Sequence, residues 1–175
     1  MVEIIIIAII VICILLMIFT LINNKFKLAI IKIEKAEEDI DIYLQKKKDL
    51  IDRTRPIIKK ELKKDSFLDN LDNNYIEMNH FQRNDNLKEA YNELIKAIDE
   101  NEKLMKSDTL MSILEDLNNN EENIIGSIKF YNDTVVLFNH LVVSFPSNII
   151  CLFKRYKKKE FYSNEKREMF EILNK

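Results

Sequence analysis

Hydrophobic and polar positions divide this chain sharply near residue 23. Ile4 to Ile22 reads IIIIAIIVICILLMIFTLI, without one charged side chain. At about 1.5 Å per residue such a run has roughly the thickness of a bilayer's hydrocarbon core. Its Ile, Leu, Val and Phe each favour insertion by about 0.3–0.6 kcal/mol, so the segment as a whole favours it by several kcal/mol. A helix buried in a soluble domain is seldom apolar on every side over this length. The pattern predicts a membrane span over residues 4–22, with the lipid bilayer as its partner.

Beyond the run, apolar residues recur every third or fourth position, the rhythm of a one-sided helix. Two rows run down the next stretch: Ala29, Ala36, Tyr43, Leu50, Ile57, and Ile30, Glu37, Leu44, Ile51, Ile58. Ile33 and Ile40 lie between them, and together they predict a helix continuing from the span to about Lys64. Pro56 is expected to kink it or weaken one turn. Ser66 to Asn86 is rich in Asn, which competes with helical hydrogen bonding, so a frayed or broken helix is expected there. Asn86 to Met105 is more regular, with Leu87, Ala90, Tyr91, Leu94, Ile98 and Leu104 on one side. Ser107-Asp108 supplies an N-cap for the next helix.

The clearest rhythm comes next. Leu110, Leu114, Leu117, Glu121, Ile124, Ile128, Tyr131, Val135, Phe138, Val142 and Phe145 alternate by four and three, a coiled-coil-like seam with Glu121 as its one charged member. Gly126 is either tolerated or admits a neighbouring helix closely. Pro146 stops the helix by driving Phe145 out of the α region. Short connections would make successive helices antiparallel, so the first leaves the membrane, the second returns and the third leaves again. On that topology the segment after Phe145 sits at a tip remote from the anchor.

Composition narrows the class. One Gly and two Pro in 175 residues are too few for the turns of a sheet-rich domain. Apolar residues at 47% and charged residues at 32% suit amphipathic helices rather than disorder. The expected fold is all-α: a transmembrane anchor over 1–24, a bundle of long antiparallel helices over 25–162, and an amphipathic tail over 163–175. A cleaved signal peptide would need a basic start and small residues at a cleavage site; Met1-Val2-Glu3 and Asn23-Asn24-Lys25-Phe26 offer neither. Lys25, Lys27, Lys32 and Lys35 come after the run, whereas Glu3 alone precedes it. The positive-inside rule then places the chain in the cell membrane as a single-pass protein with a cytoplasmic bundle; display outside is the alternative.

Little points to chemistry. Cys13 and Cys151 form no paired motif, and His80 and His140 lack the carboxylate or Cys spacing of a metal or acid–base site. A glycine-rich phosphate loop is impossible with one glycine. No catalytic residue, metal or cofactor is therefore expected. A net charge of −2 gives no global field favouring nucleic acid.

Three constellations remain. Tyr131, Asn132 and Asn139 share one face, as a buried polar layer setting helix register or as a ligand or partner surface. Phe145-Pro146-Ser147-Asn148 reads as a tight corner capping a helix over Ile149 to Tyr156, or as a docking loop. Lys154, Arg155, Lys157, Lys158 and Lys159 interleave with Phe153, Tyr156, Phe161 and Tyr162. This dense basic run suits a solvated loop, an acidic partner or another bilayer, with nucleic acid least favoured.

Two stretches carry a resemblance. FYNDTVVLFNHLVVSFPSNIICLF, Phe130 to Phe153, leads into KKKEFY at Lys157 to Tyr162; Leu44-Gln45-Lys46-Lys47-Lys48-Asp49-Leu50-Ile51 precedes them. With the N-terminal anchor, they resemble the LemA family. Here the proline expected just after Leu-Ile comes later, at Pro56, and Ser127-Ile128-Lys129 replaces the usual Ala-Arg before Phe-Tyr-Asn. The resemblance implies a membrane-anchored helical bundle of bacterial type and no defined biochemical activity. The expected role is a non-enzymatic scaffold or adaptor, with an unknown protein or a second copy of the chain as its partner. A membrane-remodelling lattice and a sensor relaying a signal through the anchor helix are the alternatives.

Overall fold

The computed structural model describes residues 1–62, 68, 71, 75 and 77–162. The expected tail over 163–175 and most of the Asn-rich stretch before Glu77 lie outside the described residues. Among the described residues five helices occur in order: α1 (Val2–Leu62), α2 (His80–Asp99), α3 (Glu102–Met105), α4 (Asp108–Val143) and α5 (Ser147–Lys154). No strand occurs among the described residues.

α1 holds the apolar run and the amphipathic rows in one helix of 61 residues. Its apolar part is long enough to cross a membrane, and none of that window is buried against protein. Pro56 does not break it. The ring is on the exposed side, while Ile51, Thr54 and Ile58 on the opposite side are buried, so packing holds the turn that Pro56 weakens. The Thr54 hydroxyl donates to the Ile51 carbonyl at 2.7 Å.

The chain forms two compact units, one of residues 36–129 and one of residues 1–35 with the chain from Phe130 onward. In the first, Ala36, Ile40, Leu44, Leu50, Ile51 and Ile58 of α1 are buried, as are Leu87, Leu94 and Ile98 of α2, and Leu110, Leu117 and Ile124 of α4. Each large aliphatic side chain so buried contributes about 1.5–3 kcal/mol. α2 begins at His80, six residues before the expected Asn86. A capping box causes this: the Asn79 side chain accepts from the Gln82 amide at 3.0 Å, and the Gln82 side chain accepts from the Asn79 amide at 3.1 Å. The helix expected through Met105 ends instead at Asp99, and Asn101 caps the single turn α3. Ser107 does cap α4, its hydroxyl oxygen facing the Leu110 amide at 3.4 Å.

The direction of α2 differs from the expectation. Arg83 faces Asp41 at 3.6 Å, and Tyr91, two turns on, lies under the Lys47 ammonium at 5.5 Å, so α2 runs in the same sense as α1. Seventeen residues separate Leu62 from His80, and a chain of that length can span up to about 55 Å, enough for α2 to start beside Asp41. Tyr75 is already back beside α1, its ring 5.7 Å from the Lys48 ammonium, and its carbonyl accepts from Arg83 at 3.2 Å. Burial pushes the Tyr75 hydroxyl up to about 12, with Asp41, Asp49 and Asp52 adding to the shift and Arg83 opposing it. α4 then runs antiparallel to α1.

Glu121, the charged member of the α4 seam, has a counterpart that sequence reading passed over. Lys47 continues the α1 series Ile40, Leu44, Ile51 and is only 2% exposed. Its ammonium meets the Glu121 carboxylate at 2.6 Å. Asn120, fully buried, donates its amide to the Tyr43 carbonyl at 2.9 Å. Polar groups thus interrupt both seams at one level, Lys47 paired with Glu121 and the Asn120 amide with the Tyr43 carbonyl.

In the other unit, Phe26, Ala29 and Ile33 of α1 pack with Tyr131, Val135 and Phe138 of α4 and Ile150 and Cys151 of α5. Phe26 is fully buried, edge-on to Phe138 at 5.8 Å and 5.1 Å from the Tyr156 ring. This corrects the expected remote tip. Tyr156 closes over a residue only four positions past Ile22, because α2 runs with α1 and α4 therefore runs against it.

Two substitutions test the packing. Glu121→Ala leaves the Lys47 ammonium buried without its carboxylate and is expected to lower stability by about 2 kcal/mol, the carboxylate being part-exposed. Gly126 is exposed, and an added Cβ meets nothing within 4 Å. Gly126→Ala is therefore expected to raise stability by about 0.5–1 kcal/mol. Thermal unfolding of the full chain in detergent, monitored by circular dichroism, reads both, and shifts of the same sign would contradict this packing.

Candidate functional site

The three polar residues singled out on α4 act together, on a strand-like segment rather than on another helix. Tyr131, Asn132 and Asn139 are 2%, 4% and 1% exposed. Asn139 brackets one residue: its amide donates to the Lys159 carbonyl at 2.9 Å, and its carbonyl oxygen accepts from the Lys159 amide at 2.8 Å. Asn132 accepts from the Tyr162 amide at 2.8 Å. Between them the Tyr131 hydroxyl donates to the Glu160 carbonyl at 3.0 Å. The Tyr131 and Tyr162 rings meet edge to face at 5.6 Å.

The spacing has a simple geometric basis. Seven residues of helix rise about 10.5 Å, and three residues of extended chain cover about 10 Å. Asn139 to Asn132 on α4 therefore matches Lys159 to Tyr162 running the opposite way. An Asn side chain carries both a donor and an acceptor, so it can pair with a backbone as a neighbouring strand would. Buried backbone groups of this segment obtain partners that no sheet provides. The sequence signal was the recurrence of an aromatic-Asn pair seven residues apart. Its target, the Lys-Glu-Phe-Tyr stretch, lies twenty to thirty residues on and has no periodicity to reveal it.

At the corner, α4 ends at Val143 and α5 leaves it at 91°. The Ser147 hydroxyl donates to the Ser144 carbonyl at 2.8 Å, tying the turn. α5 starts at Ser147, two residues earlier than expected, and ends at Lys154 rather than Tyr156. Arg155 caps it with φ 55°, a left-handed conformation that favours glycine. The predicted corner residues divide. Ser147 is buried and Asn148 half-buried, whereas Pro146 is exposed and Phe145 is 80% exposed, outside the seam to which its spacing assigned it. Leu152 and Phe153, each 81% exposed, join Phe145 as large apolar side chains without cover. Lys154, Arg155, Lys157, Lys158 and Lys159 are all exposed. Burial pushes the Cys151 thiol up, making it a poor nucleophile.

Beside this corner, α1 and α4 border an open groove of about 290 Å³ that sequence reading did not find. Lys25, Leu28 and Lys32 line one side, Leu137, His140 and Leu141 the other. Its walls are mostly apolar with a basic edge and carry no acid–base pair. Among the described residues no group of three or more His, Cys, Asp or Glu is arranged to hold a metal ion.

The sequence model of the LemA family matches residues 36–172. The match takes in the Leu44–Ile51 and Phe130–Tyr162 stretches and starts beyond the apolar run. No curated protein and no solved structure matches the chain.

Asn139→Ala removes both arms of the bracket and strands the Lys159 amide and carbonyl. The expected loss is about 1–3 kcal/mol of local stability. Hydrogen exchange at the Lys159 and Tyr162 amides and tryptic cleavage after Lys157 and Lys158 should accelerate; unchanged protection would show that the bracket does not hold the segment.

Proposed function

We propose that this chain, which belongs to the LemA family, is a non-enzymatic, single-pass membrane scaffold or adaptor whose helical domain is carried on α1. The observation that supports it most is the continuity of α1, which joins a bare apolar stretch to a buried amphipathic face without a hinge. Val2 to Leu21 are all exposed. An apolar surface of that size in water drives association, and a bilayer is the cover whose thickness fits it. Lys25, Lys27 and Lys32, exposed just past the stretch, favour a cytoplasmic domain under the positive-inside rule. The partner is a protein that the domain holds at the membrane.

The same continuity supports a second reading, a sensor that relays motion of the span into the domain. A rigid helix passes on rotation, and each inserted residue turns the downstream part of the helix by about 100°.

A promiscuous biotin ligase fused to the C-terminus of the full chain tests the scaffold. The expected result is a reproducible set of labelled proteins absent from a control carrying the ligase on residues 1–24 alone. Identical labelling by the two would remove the scaffold reading. Alanines inserted singly and in series after Asn24 address the sensor, which requires a phenotype that varies with helical phase.

A further inference from the structure

We propose that the α4–α5 corner is an interfacial membrane-binding element, with Phe145, Leu152 and Phe153 seated at the headgroup–acyl boundary and Lys154, Arg155 and Lys157 on the phosphates of anionic lipids. The inference rests on the reading of residues 4–22 as the span, and adds a second contact with the same bilayer.

Position comes first. Phe26 lies four residues, about 6 Å of helix, beyond Ile22. The Tyr156 ring is 5.1 Å from Phe26 and the Phe138 ring 5.8 Å from it, so the base of α5 is pinned at the level where the span ends. Orientation comes second. α4 packs along α1, and α5 leaves α4 at 91°. A helix perpendicular to one that stands with the span lies roughly along the bilayer surface, as interfacial helices do.

Chemistry agrees with that placement. Phe145, Leu152 and Phe153 are 80%, 81% and 81% exposed, although α5 buries Ile150 and Cys151 on its other side. A helix of eight residues with apolar side chains both inward and outward has two surfaces to cover, and the described residues bury one. The basic side chains Lys154, Arg155 and Lys157 come directly after the outward ones, at the polar end. Charges placed there are attracted to an anionic surface and released from it by salt. Arg155 caps α5 at φ 55°, two residues past the exposed Phe153, so a cationic side chain follows the apolar ones directly. Lys25, Lys27 and Lys32, exposed in the same unit, extend the basic zone around the exit of the span. An acidic protein surface would satisfy the charges and leave the bare Phe and Leu side chains uncovered. Anionic lipid satisfies both.

The chain contains no tryptophan, so single indoles can be introduced as depth probes. Full-length Phe153→Trp and, separately, Ile12→Trp are reconstituted in vesicles of phosphatidylglycerol and phosphatidylcholine containing shallow- or deep-brominated lipid. The expected result for Phe153→Trp is blue-shifted emission, quenched by shallow bromines and strongest with phosphatidylglycerol present. For Ile12→Trp it is quenching by deep bromines. Combining Phe153→Trp with Lys154→Gln, Arg155→Gln and Lys157→Gln should remove the dependence on phosphatidylglycerol. Water-like, unquenched emission from Phe153→Trp with Ile12→Trp still quenched overturns the interfacial element and leaves the anchor standing. Blue-shifted but unquenched emission overturns it in favour of a protein cover, a second copy or a partner. Absence of quenching for Ile12→Trp overturns the anchor and this inference together.

Discussion

Everything in this protein depends on α1 being one helix with two kinds of surface. For its first twenty or so residues it is apolar on every side; beyond Phe26 the apolar positions shrink to a stripe. A helix satisfies its own backbone hydrogen bonds, which is the requirement for entering hydrocarbon, and the same property lets it emerge without a loop. The stripe then sets where α2 and α4 pack. Pro56, placed on the exposed side, leaves this continuity intact, because packing of Ile51, Thr54 and Ile58 holds the helix where one backbone bond is missing.

Buried polar groups give the packing its specificity. Lys47 and Glu121 interrupt two apolar stripes at matching levels, so sliding one helix by a turn would bury an ammonium against aliphatic carbon. Burial pushes the neighbouring Tyr91 hydroxyl up, and the Glu121 charge adds to it. Asn139 and Asn132 perform a different task. They hold a non-helical backbone against a helix, where no regular secondary structure could pair it. With Tyr131, they fold the end of the described chain back along α4 instead of leaving it free.

That fold-back, and the reversal of α4, bring chemistry together that is distant in the chain. Phe26, Phe138 and Tyr156 form one aromatic cluster although they span most of the sequence. The basic run and the exposed aromatic residues of the corner consequently belong with the exit of the apolar stretch. A conspicuous surface that would be a remote docking tip on one topology becomes a neighbour of the apolar stretch on the other. Membership of the LemA family fits this helical architecture and leaves the biochemical role to the surfaces themselves.

Composition and local pattern determined the all-helical class, the apolar run, the buried faces of α1 and α4 and a helix end shortly before Pro146, because each is a property of side chains within a few turns of one another. The Ser107 cap was legible for the same reason, and the Asn79–Gln82 box was equally local but lay inside a stretch whose asparagines pointed to helix breaking. Tertiary structure alone decided the direction of α2, the partner of Glu121 and the use of Asn132 and Asn139. Those depend on which distant segment arrives alongside, and α2 running with α1 rather than against it reversed the direction that counting helices gave α4. A hydrophobic stripe states that something covers it. Only the packed chain states which segment does, and among the described residues the outward face of α5 stays exposed.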